Sequence, residues 1–334
     1  MKLNASAPIL LFILATGLGH ADVDTGGNAG GMLDRQLVIE TAATVTTNRF
    51  PNADDVLVGA MTRLTYAQDG TYEQWYESFI KVLTEDARRK HLTVSSYYTI
   101  PYQRGPEDCS IPLVEIIHPD GSTTPIDVSA QSKTMINPSS MKDNIYNPND
   151  KIIKVNVPGL EIGDALHYVM YDRIVQPRMA GTFSDYFVLE SRRPIVREII
   201  EITGPEVMPL QSIASKDEVE GTVSHSTETR DGSVIYRWEF NDVPRMFPEP
   251  SMPDLNTVVQ RLLVSTNPDW ETVARWYWEL SEPHYASSAD MQSKVEELTA
   301  GLDDPVEKIE ALFNFVSQEI RYMGIIAESE APGY

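Results

Sequence analysis

The sequence contains a single cysteine, Cys109, in 334 residues, so an internal disulfide bond and a cysteine-based zinc site are both excluded. It has no Gly-rich phosphate loop, no Gly-x-Ser-x-Gly elbow and no kinase signature. Positive charge is also scarce, because 27 Lys and Arg residues face 49 Asp and Glu residues, for a net charge of −22. A surface this acidic repels phosphate backbones and anionic lipids, so we expect no nucleic-acid partner.

Long apolar runs are missing as well, apart from one near the start. Lys2 precedes an apolar run over residues 9–18, and Gly19-His20-Ala21 has the small-x-small pattern of a cleavage site. That run is shorter than the roughly 20 residues that a membrane span needs. We therefore predict a signal peptide over residues 1–21, with an uncleaved anchor as the alternative. We expect export to the bacterial periplasm or the medium, with no membrane span after cleavage.

What the chain does contain is enough apolar and aromatic residues to build a core. Hydrophobic residues make up 42% of the sequence and aromatic residues 9%, and the length suggests two domains at roughly 100–200 residues each. Residues 22–54 open with a Gly- and Asp-rich stretch, and we predict a flexible lead-in there. The carboxylates of that stretch could hold calcium, but a solvated linker is the simpler interpretation.

Residues 55–243 show the pattern of strands joined by tight turns. Turn signals divide the apolar segments at Asp69-Gly70, Asp120-Gly121, Pro158-Gly159 and Asp231-Gly232. The strongest alternation is near the end, where one face carries Val234, Tyr236, Trp238 and Phe240. Since no long helices intervene, we predict a β-sandwich or paired sandwiches over this range.

Four prolines crowd into residues 244–253, where neither a helix nor a central strand can continue. We place the domain boundary there, with a Pro-rich linker and a strand over residues 244–267. Residues 268–334 are predicted to be helical. A first helix over residues 269–280 would begin with Asn267 as N-cap and Pro268 as its first residue, and carry a tryptophan-rich apolar stripe.

Two further helices follow in the same segment. One is predicted over residues 290–300 and ends at Gly301, and another begins at Asp304-Pro305. The latter carries one apolar face, formed by Val306, Ile309, Leu312, Phe313, Val316 and Ile320. Residues 322–326 are strand-like. Stripes this apolar need a surface to pack on, so we expect that the sequence is truncated from a longer protein.

Candidate catalytic groups are weak. Cys109 follows two acidic residues that would raise its pKa, and we predict no helix N-terminus there to lower it. The histidines form no His-x-His or His-x-x-x-His pair, and Glu296-Glu297 and Asp303-Asp304 fit helix surface and N-cap positions better than a glycosidase pair. The tryptophans of residues 270–278 fit interdomain packing better than a sugar platform. We therefore assign no catalytic, cofactor-binding or metal-binding residue, and expect no cofactor.

Several segments together resemble a known family. They are Pro119-Asp120-Gly121, Pro158-Gly159-Leu160-Glu161-Ile162-Gly163-Asp164, Tyr236-Arg237-Trp238-Glu239, Asp242-Val243-Pro244, Arg261-Leu262-Leu263-Val264-Ser265-Thr266, Trp270-Glu271, Ala274-Arg275-Trp276-Tyr277-Trp278, Phe315-Val316-Ser317 and Ile320-Arg321-Tyr322-Met323-Gly324-Ile325. In order and spacing they resemble an exported bacterial family in which an N-terminal β-domain of unknown function precedes a transglutaminase-like (papain-like cysteine) domain.

The resemblance implies that residues 268–334 are the start of an incomplete transglutaminase-like α+β core. In that family the catalytic cysteine follows this segment, so the sequence ends before it and no member of the triad can be assigned here. The implied function is a β-domain that positions a protein or peptide substrate for a downstream cysteine amide hydrolase or acyltransferase. The chain itself would be inactive. The alternative is a non-catalytic exported binding or assembly module.

Overall fold

The computed structural model describes residues 31–139, 141, 145–321 and 324–325. The strands are β1 (Asp55–Tyr66), β2 (Tyr72–Val82), β3 (Thr93–Thr99), β4 (Cys109–Ile117), β5 (Thr123–Pro125), β6 (Ser132–Ile136), β7 (Ile145–Tyr146), β8 (Asp150–Asn156), β9 (Ala165–Ile174), β10 (Ser184–Val188), β11 (Ile195–Pro205), β12 (Ser212–Lys216), β13 (Val223–Arg230), β14 (Ser233–Val243), β15 (Arg261–Ser265) and β16 (Gly324–Ile325). The helices are α1 (Arg35–Thr44), α2 (Glu85–Lys90), α3 (Val128–Gln131), α4 (Leu255–Val258), α5 (Trp270–Ser281), α6 (Ala289–Thr299) and α7 (Pro305–Asn314). The predicted mainly β body followed by a helical segment is confirmed.

One large sheet organises the β-body. Its eight strands lie in the order β13-β14-β11-β1-β2-β9-β4-β5. All neighbours are antiparallel except β1 and β11, which run parallel with Leu57 opposite Ile195. Two three-stranded sheets accompany it: the β15 sheet (β10-β15-β12) and the β8 sheet (β3-β8-β6). A short parallel pair joins β16 to β7.

The two small sheets cover the same face of the large sheet, which we call the front face. Under the β15 sheet the core contains Leu64, Ile80, Ile200, Ile202, Trp238, Phe240, Leu262 and Val264. Under the β8 sheet it contains Val94, Tyr98, Val114, Ile116, Ile153, Val155 and Leu166. Side chains of facing sheets interdigitate in both cores, so the β-body is a pair of sandwiches that share one large sheet.

The opposite, back face is covered in part by α1, and here the structure corrects the sequence prediction. The described part of the predicted lead-in, residues 31–54, is not a flexible linker. Asp34 caps α1 by accepting a hydrogen bond from the Leu37 N–H, and Val38 and Ala42 are buried against the large sheet. The apolar stripe of α1 is narrow, which is why its sequence suggested a linker. Residues 1–30, which include the predicted signal peptide, lie outside the described residues.

The predicted hairpins are present, but their turns differ in detail. At Asp231-Gly232 both residues have positive φ (53° and 77°), as the sequence suggested for every Asp-Gly turn. At Asp69-Gly70 only the glycine does, with φ of 89°, while the Asp69 carboxylate accepts a hydrogen bond from the N–H two residues later. The turn at residues 120–121 is built in the same way. In these two hairpins aspartate therefore acts through its side chain.

The clearest predicted strand is confirmed as β14. Its side chains alternate between buried and half-buried from Ser233 to Phe240, and the buried set is the predicted one. The other face of β14 carries ion pairs to its neighbour β11, where Arg237 binds Glu201 at 2.9 Å and Glu239 binds Arg197 at 2.9 Å. The period-two pattern therefore reports the burial of one face and the charge pairing of the other.

The Pro-rich segment leads back to the β-body. The Met246 N–H donates to the Ser191 carbonyl at 2.8 Å, and the strand predicted within residues 244–267 is β15, the central strand of its sheet. Residues up to 265 therefore pack as part of the β-body. The exact domain boundaries stay a prediction.

The first helix of this segment begins at Trp270, one residue after the predicted range, and its N-cap lies two residues later than predicted. Asp269, rather than Asn267, caps α5 by accepting from the Thr272 N–H, because Pro268 lies before the cap. The later helices match the prediction: Gly301 follows α6 with φ of 76°, and Asp304 caps α7 with Pro305 as its first residue. Within the described residues no helix has the length and apolar character that a membrane span requires.

Candidate functional site

The single thiol is buried. Cys109 is the first residue of β4, and its Sγ lies 3.2 Å from Ser96 Oγ and 3.4 Å from the Tyr97 carbonyl oxygen. Burial raises the pKa of the Cys109 thiol to about 11, so it carries a proton at neutral pH. A nucleophilic thiolate needs the opposite environment.

The sequence predicted this raised pKa for a different reason. It attributed the shift to the two preceding acids, but the carboxylate of Asp108 binds Arg104 at 2.7 Å and Arg173 at 3.1 Å. These guanidinium groups lower the pKa of Asp108 and compensate its charge. Burial is therefore the main cause of the Cys109 shift, with a smaller contribution from Asp172.

The described histidines are dispersed among separate partners. His91 Nε2 lies 2.5 Å from Asp55, His118 Nδ1 lies 3.0 Å from Asp164, and the ring of His225 lies 4.9 Å from that of Trp238. Among the described residues no group of three His, Cys, Asp or Glu side chains is arranged to hold a metal ion. The predicted absence of catalytic and metal residues stays a prediction, since the described residues are not the whole chain.

His167 is the centre of a buried ionic network on the back face. Its Nε2 lies 2.9 Å from Glu77 and its Nδ1 lies 2.6 Å from Glu115, while its ring stacks on Phe79 at 3.8 Å. Arg35 of α1 also binds Glu115. Both ring nitrogens are engaged and the ring is fully buried, so this network ties α1 to the large sheet and offers no access for a substrate.

A cleft of about 900 Å³ opens on the front face, between the two small sheets. Its floor includes Tyr72 and Ile174 of the large sheet, and its walls are β3, β10 and the first turns of α5. The aromatic lining residues are Tyr72, Tyr97, Tyr98, Tyr102, Phe183, Tyr186, Trp270 and Trp276. A concave site with an aromatic lining and a few polar groups is the usual form of a binding site.

Two carboxyls, one in the cleft lining and one beside it, lie in an environment that disfavours their charged form. Burial raises the pKa of the Asp185 carboxyl to about 6, although the Tyr186 N–H donates to it at 2.8 Å, and the negative charge of Asp172 adds to the rise. Burial also raises the pKa of Asp172 to about 6, and this carboxyl accepts a hydrogen bond from Gln103, which lines the cleft. A cation in the cleft would relieve both carboxyls.

One cation–aromatic contact is already present in this cleft. The guanidinium of Arg178 lies 4.2 Å from the centre of the Tyr102 ring. The charges of Asp185, Asp172 and Arg178 all act on the Tyr72 hydroxyl, whose pKa is raised mainly by burial. These groups therefore form one electrostatic unit around the floor. Among the lining residues that the structure describes there is no Ser–His or Cys–His pair.

A second unusual surface is the apolar face of the C-terminal helices. Trp270 of α5 is 85% exposed, and Ile309 and Phe313 of α7 are 66% and 67% exposed. The other exposed apolar side chains of this segment are Tyr277, Trp278, Tyr285, Met291, Val295, Val306, Val316 and Ile320. We call this set the helix surface. Its size and composition are typical of a protein-binding surface.

The sequence pattern identified the helix surface but missed the cleft. The α7 stripe was predicted residue by residue, because helical periodicity is local. Tyr72, Asp185 and Trp270, in contrast, come from three distant segments, and no local signal connects them. Of the tryptophans in residues 270–278, Trp270 and Trp276 line the cleft and Trp278 does not. Whether they serve interdomain packing or sugar binding stays a prediction.

The fold is shared with a solved structure. The chain is similar to a protein from Parabacteroides distasonis described as a "putative protease", with 16% identity and a TM-score of 0.66 over 84% of this chain and 53% of that one. The chain thus spans about half the length of that protein. An M1 zinc metallopeptidase from Deinococcus radiodurans matches 64% of this chain and 42% of that chain at 11% identity, but its TM-score of 0.29 carries no argument. No curated protein matches the chain.

A family model also matches, over residues 68–247. This range holds the Asp69 hairpin turn, all of the large sheet beyond β1, and Asp185 of the cleft, and it covers more than half of the chain. The predicted resemblance to a β-domain of unknown function is confirmed in that part: the chain belongs to the family of the domain of unknown function DUF3857.

Proposed function

We propose that this chain is the N-terminal, non-catalytic part of an exported transglutaminase-like cysteine enzyme. The β-body positions a protein or peptide substrate, and a downstream domain supplies the catalytic thiol. The observation that carries the proposal is the helix surface, whose apolar side chains need a covering partner. The alternative is a non-catalytic exported binding or assembly module.

The helix surface favours a permanent partner over a transient one. Val306, Ile309, Phe313 and Val316 repeat at helical spacing along α7 and its continuation, so they form one continuous stripe. Burial of each such side chain contributes about 1.5–3 kcal/mol. A stripe of this kind is more apolar than the surface of most soluble monomers, and a covalently linked domain would cover it at high effective concentration.

The likeness to the Parabacteroides protein supports the same assignment. It is a fold likeness that extends over most of this chain and about half of that protein. In a transglutaminase-like enzyme the thiolate attacks an amide carbon, forms a thioester with loss of the amine, and transfers the acyl group to water or another amine. The Cys109 thiol is too deeply buried for that reaction.

Dye binding and self-association test the helix surface. We expect the chain to bind a hydrophobic dye and to self-associate, and the double variant Ile309→Glu/Phe313→Glu to lose both properties while its circular dichroism spectrum is unchanged. The matched control is Asn314→Glu/Gln318→Glu, which adds the same charge at exposed polar positions of the same segment. A monomeric chain that binds no dye would contradict the proposal and favour the alternative.

Enzyme assays separate the two functions. In the longer protein we expect Cys109→Ser to leave amide hydrolysis or transfer unchanged, because the thiol is structural. Loss of turnover in a variant that remains folded would overturn the assignment of the nucleophile to a downstream domain.

A further inference from the structure

The cleft on the front face combines an acidic group with an aromatic lining. The lining includes the exposed rings of Tyr97, Tyr186 and Trp270 and the half-buried carboxyl of Asp185. Aromatic faces and carboxylates both attract cations, and each attraction strengthens when water is partly excluded. The ligand that suits this arrangement carries a positive charge on an apolar stem, as lysine and arginine side chains do.

An edge strand runs along the same cleft. Among the described residues β10 pairs on one side alone, with β15, and its residues Ser184, Asp185 and Tyr186 line the cleft. A strand edge presents backbone N–H and C=O groups that an extended polypeptide can bind. The Tyr186 N–H already donates to the Asp185 carboxylate, so a polypeptide would use the other groups of this edge. A small amine would make no use of this edge, so the edge favours a polypeptide ligand.

The volume of the cleft and the charge around it also favour a basic polypeptide ligand. About 900 Å³ is near the upper end of the range for small-molecule sites and accommodates several peptide residues. Asp172 of β9 acts on Asp185, and both carboxyls act with the guanidinium of Arg178 on the Tyr72 hydroxyl, so two acidic groups and one basic group surround Tyr72. The net charge of −22 would also attract a basic segment over longer distances.

We propose that the cleft binds an extended polypeptide segment that carries a lysine or arginine side chain, with its backbone along β10, its cationic group at the Asp185 carboxylate and its apolar stem against Trp270. The inference deepens the proposed function, since it names the substrate class that the β-body would position. It assigns Asp185 to selectivity for charge and Trp270 to the packing of the apolar stem.

Peptide binding by the whole chain tests the proposal. The probe is a fluorescein-labelled peptide of alternating threonine and lysine, and the readout is fluorescence anisotropy at physiological salt, where weak long-range attraction is screened. The same peptide with norleucine in place of lysine keeps the stem and removes the charge. We expect about tenfold weaker binding of the norleucine peptide.

Two pairs of variants locate the binding. Asp185→Asn keeps the acceptor for the Tyr186 N–H and removes the charge, and we expect about tenfold weaker lysine-peptide binding. Its control is Asp231→Asn, at an exposed turn far from the cleft. Trp270→Ala should weaken binding several-fold, whereas Trp278→Ala, on the same helix but outside the cleft, should not.

The outcomes are separable from those of the proposed function, because this assay requires no turnover and its Asp185→Asn variant lies outside the helix surface. Equal binding of the lysine and norleucine peptides would overturn the proposal. So would equal losses in Asp185→Asn and Asp231→Asn, which would indicate unspecific attraction to an acidic protein. If Asp185→Asn proves unstable, an absence of effect in Trp270→Ala overturns the proposal by itself.

Discussion

The β-body and the helical segment contain the same kind of apolar periodicity but treat it in opposite ways. In the β-body the alternating side chains of β11 and β14 are buried under the β15 sheet. In α7 an equally regular stripe is exposed. The difference shows that periodicity predicts which face of an element is apolar, and says nothing about what covers that face.

Charged groups follow the same contrast. The β-body contains buried, long-range networks, such as Glu77 with His167 and Asp55 with both His91 and Arg193. In the helices they form exposed local pairs, such as Arg275 with Glu271 four residues earlier. Exposed pairs contribute little to stability, whereas removing one partner of a buried pair is costly. We therefore expect mutations in the two regions to differ strongly.

The largest effect is expected for the buried network. Glu77→Ala removes the partner of His167 Nε2 and the acceptor of the Leu33 N–H at 2.9 Å. Because the remaining groups stay buried, the free energy of unfolding should fall by about 3–5 kcal/mol, as measured by chemical denaturation. Glu310→Ala, at an exposed position of α7, is the matched control and should change it by less than about 0.5 kcal/mol. Similar losses in the two variants would contradict the contrast.

Two isoleucines compare the regions directly. Ile200 of β11 is fully buried and Ile309 of α7 is 66% exposed. Ile200→Ala should lower the free energy of unfolding by about 2–5 kcal/mol, because it removes core contacts and leaves a cavity. Ile309→Ala should stay within about 0.5 kcal/mol when measured in the same denaturation experiment. A large loss for Ile309→Ala at a protein concentration where the chain is monomeric would contradict the contrast.

These contrasts also explain what could be read from the sequence. The hairpin at Asp69-Gly70, the alternation of β14 and the caps at Asp304 and Gly301 were predictable, because each depends on residues close in sequence. The helix α1 was missed although Asp34 is a good N-cap, since its apolar stripe is narrow. That feature could have been found from the cap alone.

The remaining features depend on distant pairing and had no local signal. The parallel pairing of β1 with β11 and the position of β15 between β10 and β12 join segments far apart in the chain. The cleft inherits this property, because Tyr72, Asp185 and Trp270 meet only after those strands have paired. A sequence pattern could identify each residue as aromatic or acidic, but not their convergence.

The smallest predicted effect concerns two carboxyls of the β-body, Asp55 and Asp185, whose ionisation changes the stability of the fold in opposite directions. Burial alone would raise the pKa of Asp55, but hydrogen bonds and charges from His91 and Arg193 lower it to about 2, while the pKa of Asp185 is raised to about 6. Ionised Asp55 therefore stabilises the fold, and this contribution is lost only as the pH falls from its ordinary 3.8 through about 2. Asp185 has the opposite effect, because its pKa is higher in the folded state. Its ionisation leaves the free energy of unfolding unchanged below about pH 4, lowers it increasingly between about pH 4 and about pH 6, and has its full effect above that pH.

Asp185→Asn should consequently raise the free energy of unfolding at about pH 7.5, by about 1–2 kcal/mol once partial solvent screening is allowed for, and leave it unchanged at about pH 4. Thermal or chemical denaturation across this pH range measures the difference, and Asp55→Asn should lower stability at neutral pH in the same experiment. An equal gain for Asp185→Asn at both pH values would assign the effect to packing instead of charge. A gain confined to neutral pH would show that the cleft retains a carboxylate at a cost to the fold, which is the behaviour expected of a group kept to bind a cation.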